Sequence, residues 1–129
     1  MPMYEFQVEV RPQYLPDQST PEAGVYSFAY TITIKNTGRV AAQLISRHWV
    51  ITDALGRVEE VKGLGVVGHQ PLLAPGASFQ YTSGCRLRTA SGTMQGSYFC
   101  VAEDAEPFTC TIPAFALESD DSPKGRVLH

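Results

Sequence analysis

VYSFAYTITIK, residues 25–35, is the stretch of this chain that decides its fold. Its even positions are all large and apolar: Tyr26, Phe28, Tyr30, Ile32 and Ile34. Its odd positions are mostly Ser, Thr and Lys. A period of two, rich in aromatic and β-branched residues, is typical of a strand with one face in a core and the other in water. The NTG sequence at 36–38 follows and predicts a turn, in which Gly38 is free to take a positive φ.

Six further segments carry strand signals, with turn residues between them. The predicted strands are residues 5–11, 41–53, 58–62, 78–83, 93–101 and 108–112, the last continued by Phe115 and Leu117. The alternation changes phase after the adjacent apolar residues Leu44 and Ile45, which predicts a β-bulge or a strand contacted on both faces. Residues 12–24 predict a loop, and Ser83-Gly84 and Ser91-Gly92 predict turns. No segment of useful length has helical periodicity.

These segments predict an all-β protein, an antiparallel sandwich of seven or more strands. A sandwich is favoured over a closed barrel because several segments have one polar face. The Cys…Trp…Cys spacing of antibody domains is missing, so the immunoglobulin-like description applies to the architecture alone.

Length and charge limit the organisation and the partners. The 129 residues predict a single domain, with a core at about 4–117 and a polar, mobile tail at 118–129. The net charge of −3 is scattered and gives no basic patch for nucleic acid or an anionic membrane. No apolar run approaches the roughly twenty residues that span a bilayer, and the N-terminus lacks signal-peptide character. We expect a cytoplasmic protein without nucleic-acid or membrane partners.

Three cysteines, Cys85, Cys100 and Cys110, are interpreted as packing residues. Their odd number and wide spacing do not suggest a disulfide framework. Cys100 and Cys110 face each other if the turn between them centres near Ala105. A disulfide between them is then feasible in an oxidised sample, whereas a reducing cytosol favours free thiols.

The segment GLGVVG, residues 63–68, matches the G-x-G-x-x-G pattern of dinucleotide-binding loops. Such a loop requires a helix that opens at its last glycine, and Pro71 and Pro75 would interrupt that helix. A structural role for Gly63, Gly65 and Gly68 in tight turns is therefore favoured over a phosphate site. The alternative is an anion-binding loop of these glycines with His69, made by backbone N–H groups without a helix. Arg47, Arg86 and Arg88 would add charge to it if they lay nearby.

No other segment predicts a catalytic or metal site. The histidines are not spaced for zinc, the carboxylates form no calcium loop, and no cofactor is expected. Cys85 lies near Arg86 and Arg88, which would lower its pKa, but no histidine is placed to act as its base. Arg47 and Trp49 form a candidate interaction surface, because Arg and Trp are frequent interface anchors. A core position for Trp49 is the favoured alternative.

Five segments of the chain resemble the ApaG family of bacteria. They are residues 26–38, 47–53, 63–71, 75–84 and 92–98, and the resemblance extends from about Tyr4 to Leu117. It departs from the family at His69, where many relatives carry Glu. The resemblance implies a fibronectin type III-like or immunoglobulin-like β-sandwich. It also implies a genetic link to cobalt resistance and magnesium efflux, and a gene that often neighbours a diadenosine tetraphosphatase.

The resemblance further implies a protein-interaction module, since the same domain is fused to F-box proteins and to a polymerase-interacting protein in eukaryotes. We therefore expect a non-enzymatic binding module with an unidentified protein partner. The alternative hypothesis is a sensor that holds phosphate, pyrophosphate or a dinucleoside polyphosphate at Gly63–Gly68. A concave cationic pocket at this loop would favour the sensor, and a flat, packed loop would weigh against it.

Overall fold

The computed structural model describes residues 2–119, and their regular secondary structure is almost all β-strand. The strands are β1 (Phe6–Tyr14), β2 (Tyr26–Asn36), β3 (Ala42–Asp53), β4 (Val58–Leu64), β5 (Leu72–Leu73), β6 (Ser78–Leu87), β7 (Ser91–Ala102) and β8 (Pro107–Glu118). Two short 3-10 turns, Pro16–Gln18 and Pro21–Ala23, connect β1 to β2.

The strands form two antiparallel sheets. One has the order β1-β2-β6, and the other has the order β4-β3-β7-β8 with β5 beside the start of β3. Residues of β2 that face inward, such as Phe28, Ile32 and Ile34, pack against the inward face of the second sheet. The predicted all-β antiparallel sandwich is therefore confirmed.

Several details of the predicted strands are confirmed and others need correction. The register of β3 shifts between Leu44 and Ser46, where a β-bulge was expected. Ser83-Gly84 lies inside β6 and Ser91-Gly92 opens β7, so neither pair is a turn. The loop expected at 12–24 begins three residues later, at Leu15, because β1 continues to Tyr14 in register with Phe28.

Gly38 is needed for close approach of two backbone segments. Its φ is not positive, and a Cβ at this position would lie 2.6 Å from the carbonyl oxygen of Met3. The expectation of a left-handed turn at Gly38 is thus wrong. The space that a side chain would occupy is filled by the chain that enters β1.

The predicted mobile tail does not begin at residue 118. Glu118 is the last residue of β8, and the buried Ser119 donates its backbone N–H to the carbonyl oxygen of Ala90. Residues 120–129 lie outside the described residues.

All three cysteines are free thiols, and Cys100 and Cys110 are buried. They lie on neighbouring strands but are not directly opposed, because Tyr98 is the partner of Cys110 and Phe108 is the partner of Cys100. The expectation that they face each other is therefore wrong by two residues of register.

An aromatic cluster joins the two sheets near the centre of the core. Trp49 of β3 contacts Tyr30 of β2 at a ring separation of 5.4 Å, Phe115 at 6.0 Å and Tyr98 at 6.4 Å. Edge-to-face contacts of this kind add to the stabilisation from burial alone. The cluster therefore ties β2 of one sheet to β3, β7 and β8 of the other.

The sandwich is closed along one side and open along the other. On the closed side the Sγ of Cys110 in β8 contacts the carbonyl oxygen of Phe6 in β1 at 3.3 Å, and Phe6 packs edge-on against Phe108. On the other side β6 and β4 are the outer strands of their sheets, and they are not paired with each other. A groove lies between these two strands.

Buried Asn36, at the end of β2, holds the β2–β3 connection against β5. Its side-chain amide donates to the carbonyl oxygens of Val40 and Leu73 at 2.9 Å each, and its side-chain oxygen accepts the N–H of Gly38 at 2.8 Å. Because both carbonyls and the N–H would lose these partners, we expect Asn36→Ala to lower the free energy of unfolding by about 3 kcal/mol.

Urea denaturation at neutral pH measures this loss. Gln80→Ala, which removes an exposed side-chain hydrogen bond to Thr33, is the matched control and should change stability by less than about 0.5 kcal/mol. A loss below about 1 kcal/mol in Asn36→Ala would contradict the structural role of Asn36.

Two buried tyrosines make the stability of the fold depend on alkaline pH. The hydroxyls of Tyr81 in β6 and Tyr98 in β7 hydrogen-bond to each other between the sheets. Burial raises the pKa of Tyr81 from 10.0 to about 12, and burial also raises the pKa of Tyr98 above its ordinary value. Between pH 10 and about pH 12 the tyrosines of the unfolded chain release protons that the folded chain retains. The contribution of these tyrosines to stability is therefore fully present below pH 10 and decreases as the pH rises toward 12.

Urea denaturation at several pH values from 8 to about 11.5 tests this dependence. Replacing both residues, by Tyr81→Phe with Tyr98→Phe, should reduce the slope above pH 10, since neither phenyl ring ionises. The buried thiols leave a residual slope, because burial also raises the pKa of Cys110 to about 11. An unchanged slope in the double variant would show that other groups control the alkaline transition.

Candidate functional site

The glycine-rich segment forms a tight two-residue hairpin turn. Val66 donates its N–H to the carbonyl oxygen of His69 at 2.8 Å, and His69 donates back to Val66 at 2.9 Å. The two residues between them, Val67 and Gly68, both have positive φ, at 43° and 83°. Positive φ at both central positions is the signature of a type I′ turn. We call residues 63–69 the glycine turn.

Three backbone N–H groups of the glycine turn are already hydrogen-bonded within the protein. Besides the pair between Val66 and His69, Gly65 donates to the carbonyl oxygen of Ile45 at 2.8 Å. Gly65 has φ 63°, and a Cβ there would collide with the carbonyl oxygen of His69. No helix follows the turn, since β5 and β6 come next. Three of the donors that an anion would need are thus already used.

Arg47 lies against the glycine turn and makes contact with its carbonyl groups. Its Nη1 donates to the carbonyl oxygens of Leu64 and Gly65, at 3.0 Å each. Gly63 is paired with Arg47 across β3 and β4, and a Cβ at Gly63 would lie 2.8 Å from the guanidinium carbon. Because Gly63 has no side chain, the guanidinium group of Arg47 fits against the backbone there. The cation bound to the carbonyl groups of the turn is thus a side chain of the protein itself.

His69 is exposed and packs on Phe79 of β6 at a ring separation of 5.7 Å. It therefore joins the glycine turn to the neighbouring sheet. The structure places Arg47 beside the loop of Gly63, Gly65, Gly68 and His69, and it arranges carbonyl groups around the guanidinium.

Trp49 is not part of an exposed surface. Only 3% of the residue is accessible, and its ring belongs to the aromatic cluster that joins the sheets. The interaction surface predicted from Arg47 and Trp49 is therefore wrong, and the favoured core position of Trp49 is confirmed, because both residues lie on the inward face of β3. Arg47 is half-buried at the border of the core, where its neighbours are Tyr30 and Trp49.

The groove between β4 and β6 begins at Arg47 and runs along the second half of β6. A section of about 460 Å³ has Tyr30, Trp49 and Ile51 as its floor. The adjoining section, of about 230 Å³, is bordered by Arg86 and Arg88. Arg86 and Arg88 are exposed at the rim and make no ion pair with another described residue. The structure thus places all three arginines singled out in the sequence along one groove.

The acidic groups near the groove partly offset this charge. Asp53 is paired with Arg57 at 2.7 Å, and hydrogen bonds from Arg57 and Leu55 hold the pKa of Asp53 below its usual value despite opposing desolvation. Glu59 lies on the opposite wall and has no ion-pair partner among residues 2–119. The unpaired arginines outnumber it, so the groove favours an anionic occupant.

Cys85 lines the groove but is not an activated nucleophile. Burial raises the pKa of its thiol to about 11, and the charge of Glu59 acts in the same direction. The expectation that Arg86 and Arg88 would lower this pKa is therefore wrong. Tyr30, next to it in the groove, also has a pKa above its ordinary value because of burial. Both groups are neutral at physiological pH.

Three large apolar side chains are exposed on the outer face of the five-stranded sheet. Leu64 is 74% exposed, Leu72 64% and Phe99 43%. Leu64 and Phe99 flank Ser46 in register, and Leu72 is paired with Gln43 on the same face of β3. We call Leu64, Leu72 and Phe99 the apolar patch. Val67, 52% exposed, extends it at the tip of the glycine turn.

Sequence reasoning missed the apolar patch. The alternation of 93–101 has low contrast, so the outward direction of Phe99 was not evident. Leu64 and Leu72 lie at a strand end and in a two-residue strand, where periodicity gives no direction. Only the pairing register shows that these side chains share one outer face.

No group of three or more histidine, cysteine, aspartate or glutamate side chains among residues 2–119 is arranged to hold a metal ion. In the same part of the chain, no helix has the length and apolar character needed to cross a membrane.

Comparisons with known proteins agree with one another. The family model described as the ApaG domain matches residues 16–102. A protein from Acidovorax sp. named Protein ApaG is 75% identical over 121 residues, covering 92% of this chain and 88% of that one. A Ralstonia nicotianae protein of the same name is 63% identical and covers 91% and 94%. A crystal structure of a Bordetella pertussis protein, described as ApaA, superposes with a TM-score of 0.91 at 55% identity and covers 94% and 98%.

The turn residue Val67 carries backbone strain that a polar residue would relieve. A β-branched residue at positive φ is unfavourable, whereas Asn adopts this conformation readily and is preferred in type I′ turns. Because Val67 is exposed, Val67→Asn loses little packing. We expect it to raise the free energy of unfolding by about 1 kcal/mol in urea denaturation.

Val67→Thr is the matched control, because it replaces the apolar group but keeps the β-branched side chain. Its stability should stay within about 0.5 kcal/mol of the natural protein. If Val67→Asn were no more stable than Val67→Thr, strain at residue 67 would be excluded as the cause.

Proposed function

This chain belongs to the ApaG family, and on that basis we propose that it is a non-enzymatic binding module that recognises a protein partner through the apolar patch. Leu64, Leu72 and Phe99 are the observation that supports this proposal. They cluster on one face next to a strained turn, and clustered exposed apolar side chains usually mark interaction sites. Scattered single ones, by contrast, need no explanation.

The chemistry of the groove supports a binding role rather than a reaction. Its thiol and phenol groups, Cys85 and Tyr30, have raised pKa values and therefore carry neither a thiolate nor a phenolate at neutral pH. The Acidovorax and Ralstonia relatives are named as ApaG proteins, without the name of an enzyme.

The link to cobalt resistance and magnesium efflux is part of this proposal. In this proposal the protein partner accounts for the effect on metal resistance and efflux, because the candidate interaction surface of this chain is apolar and is not a set of metal ligands. A cytoplasmic location fits the three free thiols, which persist in a reducing compartment.

The alternative, a sensor with a phosphorylated ligand at Gly63–Gly68, has less support. Gly65, Val66 and His69 use their N–H groups inside the protein, and the carbonyl groups of Leu64 and Gly65 face a guanidinium. Carbonyl oxygens attract cations and repel phosphate. The nearby charge of Arg47 favours this alternative, but Arg86 and Arg88 line sections of the groove that contain no residue of the glycine turn.

Affinity capture with matched variants tests the interaction surface. Leu64→Ser and Leu55→Ser form a matched pair, because both leucines are 74% exposed and Leu55 lies outside the patch, in the β3–β4 turn. Tagged natural protein and both variants are incubated with lysate of the source bacterium, cross-linked, and compared by quantitative mass spectrometry.

We expect proteins captured by the natural chain and by Leu55→Ser to fall at least about tenfold with Leu64→Ser, a difference of about 1.4 kcal/mol in binding. Leu72→Ser should reproduce the loss. Circular dichroism and the thermal midpoint confirm that each variant is folded. Equal recovery by Leu64→Ser and Leu55→Ser, or no specific recovery at all, would refute the proposed surface.

A further inference from the structure

The four long outer strands described for the sandwich, β1, β4, β6 and β8, are not equally protected against pairing with another chain. β1 contains Pro12 and charged residues, and its side of the sandwich is closed against β8. β8 contains Pro107 and Pro113, and β4 contains two glutamates and a lysine. Prolines and charges are the usual means by which natural proteins block strand addition.

β6 lacks these means. From Ser78 to Cys85 it has no proline and no charged residue, and Arg86 is its only charge. It is paired with β2 on one side, and its other side borders the open groove. A regular strand of ten residues with one free edge is a template for an added strand.

The groove beside β6 has the shape and chemistry for an extended chain. Residues 83–88 would cover about 20 Å, which accommodates an added strand of about six residues. Side chains of that strand would alternate between the apolar floor of Trp49 and Ile51 and the outer rim. Arg86 and Arg88 lie on the rim, since outward residues of this segment are the even ones.

We propose that β6 binds an extended acidic segment of a protein partner by strand addition, with acidic side chains toward Arg86 and Arg88 and apolar ones toward the groove floor. The occupant is acidic because Arg47, Arg86 and Arg88 have no ion-pair partner among residues 2–119, against the single unpaired Glu59. This inference rests on the proposed function and names the kind of segment recognised. The groove adjoins the apolar patch, because Arg47 in the groove binds the carbonyl oxygen of Leu64.

The probe is a synthetic peptide, acetyl-Gly-Val-Glu-Val-Glu-Val-Gly-amide, titrated into the ¹⁵N-labelled full chain. We expect the amide signals of residues 83–88 to shift and to gain protection from hydrogen exchange. The same peptide with Lys in place of Glu should bind at least about fivefold more weakly. A peptide N-methylated on the amides that face the added edge should also lose binding, because strand addition requires those N–H groups.

Two double variants in the groove distinguish the loss of positive charge from the loss of the folded structure as causes of weaker peptide binding. Arg86→Ala with Arg88→Ala should weaken peptide binding at least about fivefold, whereas Arg86→Lys with Arg88→Lys should retain most of it. Amide spectra of each variant show whether the sandwich is intact. Leu64→Ser should leave peptide binding unchanged, so failure of the groove and failure of the apolar patch are distinguishable.

Four results would overturn the inference. They are the absence of shifts at residues 83–88 at millimolar peptide, equal binding of the N-methylated peptide, equal shifts with inorganic phosphate, and concentration-dependent shifts without peptide. The third would indicate a simple anion site, and the fourth would indicate that a second copy of this chain occupies β6.

Discussion

The packing of Trp49 against Tyr30 is the contact on which the rest of the structure depends. It joins β3 of one sheet to β2 of the other, and Phe115 and Tyr98 complete the cluster. Aromatic side chains of this size bury large areas and fix the distance between sheets. Because the cluster lies near β4 and β6, which do not pair with each other, its edge becomes the floor of an open groove.

Arg47 shows how one inward-facing position can organise a surface loop. It follows the same alternation as Trp49, but it lies closer to the glycine turn, so its guanidinium reaches the carbonyl oxygens of Leu64 and Gly65. The absent side chain of Gly63 provides the space. The glycine pattern thus has a physical explanation within the fold, in which Gly65 and Gly68 supply positive φ and Gly63 admits a cation.

The sequence predicted the fold well because alternation reports directly on burial. The pattern of β2 and the phase change in β3 were both readable, and each appears in the pairing register. It predicted the site less well. Exposure of Leu64 beside Phe99 and the raised pKa of Cys85 depend on which strands are neighbours, and periodicity along one strand does not contain that information.

Three costs to stability occur on the same side of this molecule. Val67 has positive φ despite its β-branched side chain, the apolar patch exposes Leu64 and Leu72 to water, and β6 has an unprotected edge. Polar or proline substitutions at these exposed positions would remove each cost without disturbing the core. The closed side shows that this chain uses such substitutions, since Pro12, Pro107 and Pro113 lie there. The three costs to stability are instead concentrated around the groove and the glycine turn. This is expected of a surface that a partner covers when the protein acts, because an occupant would bury the apolar side chains and pair with the free strand.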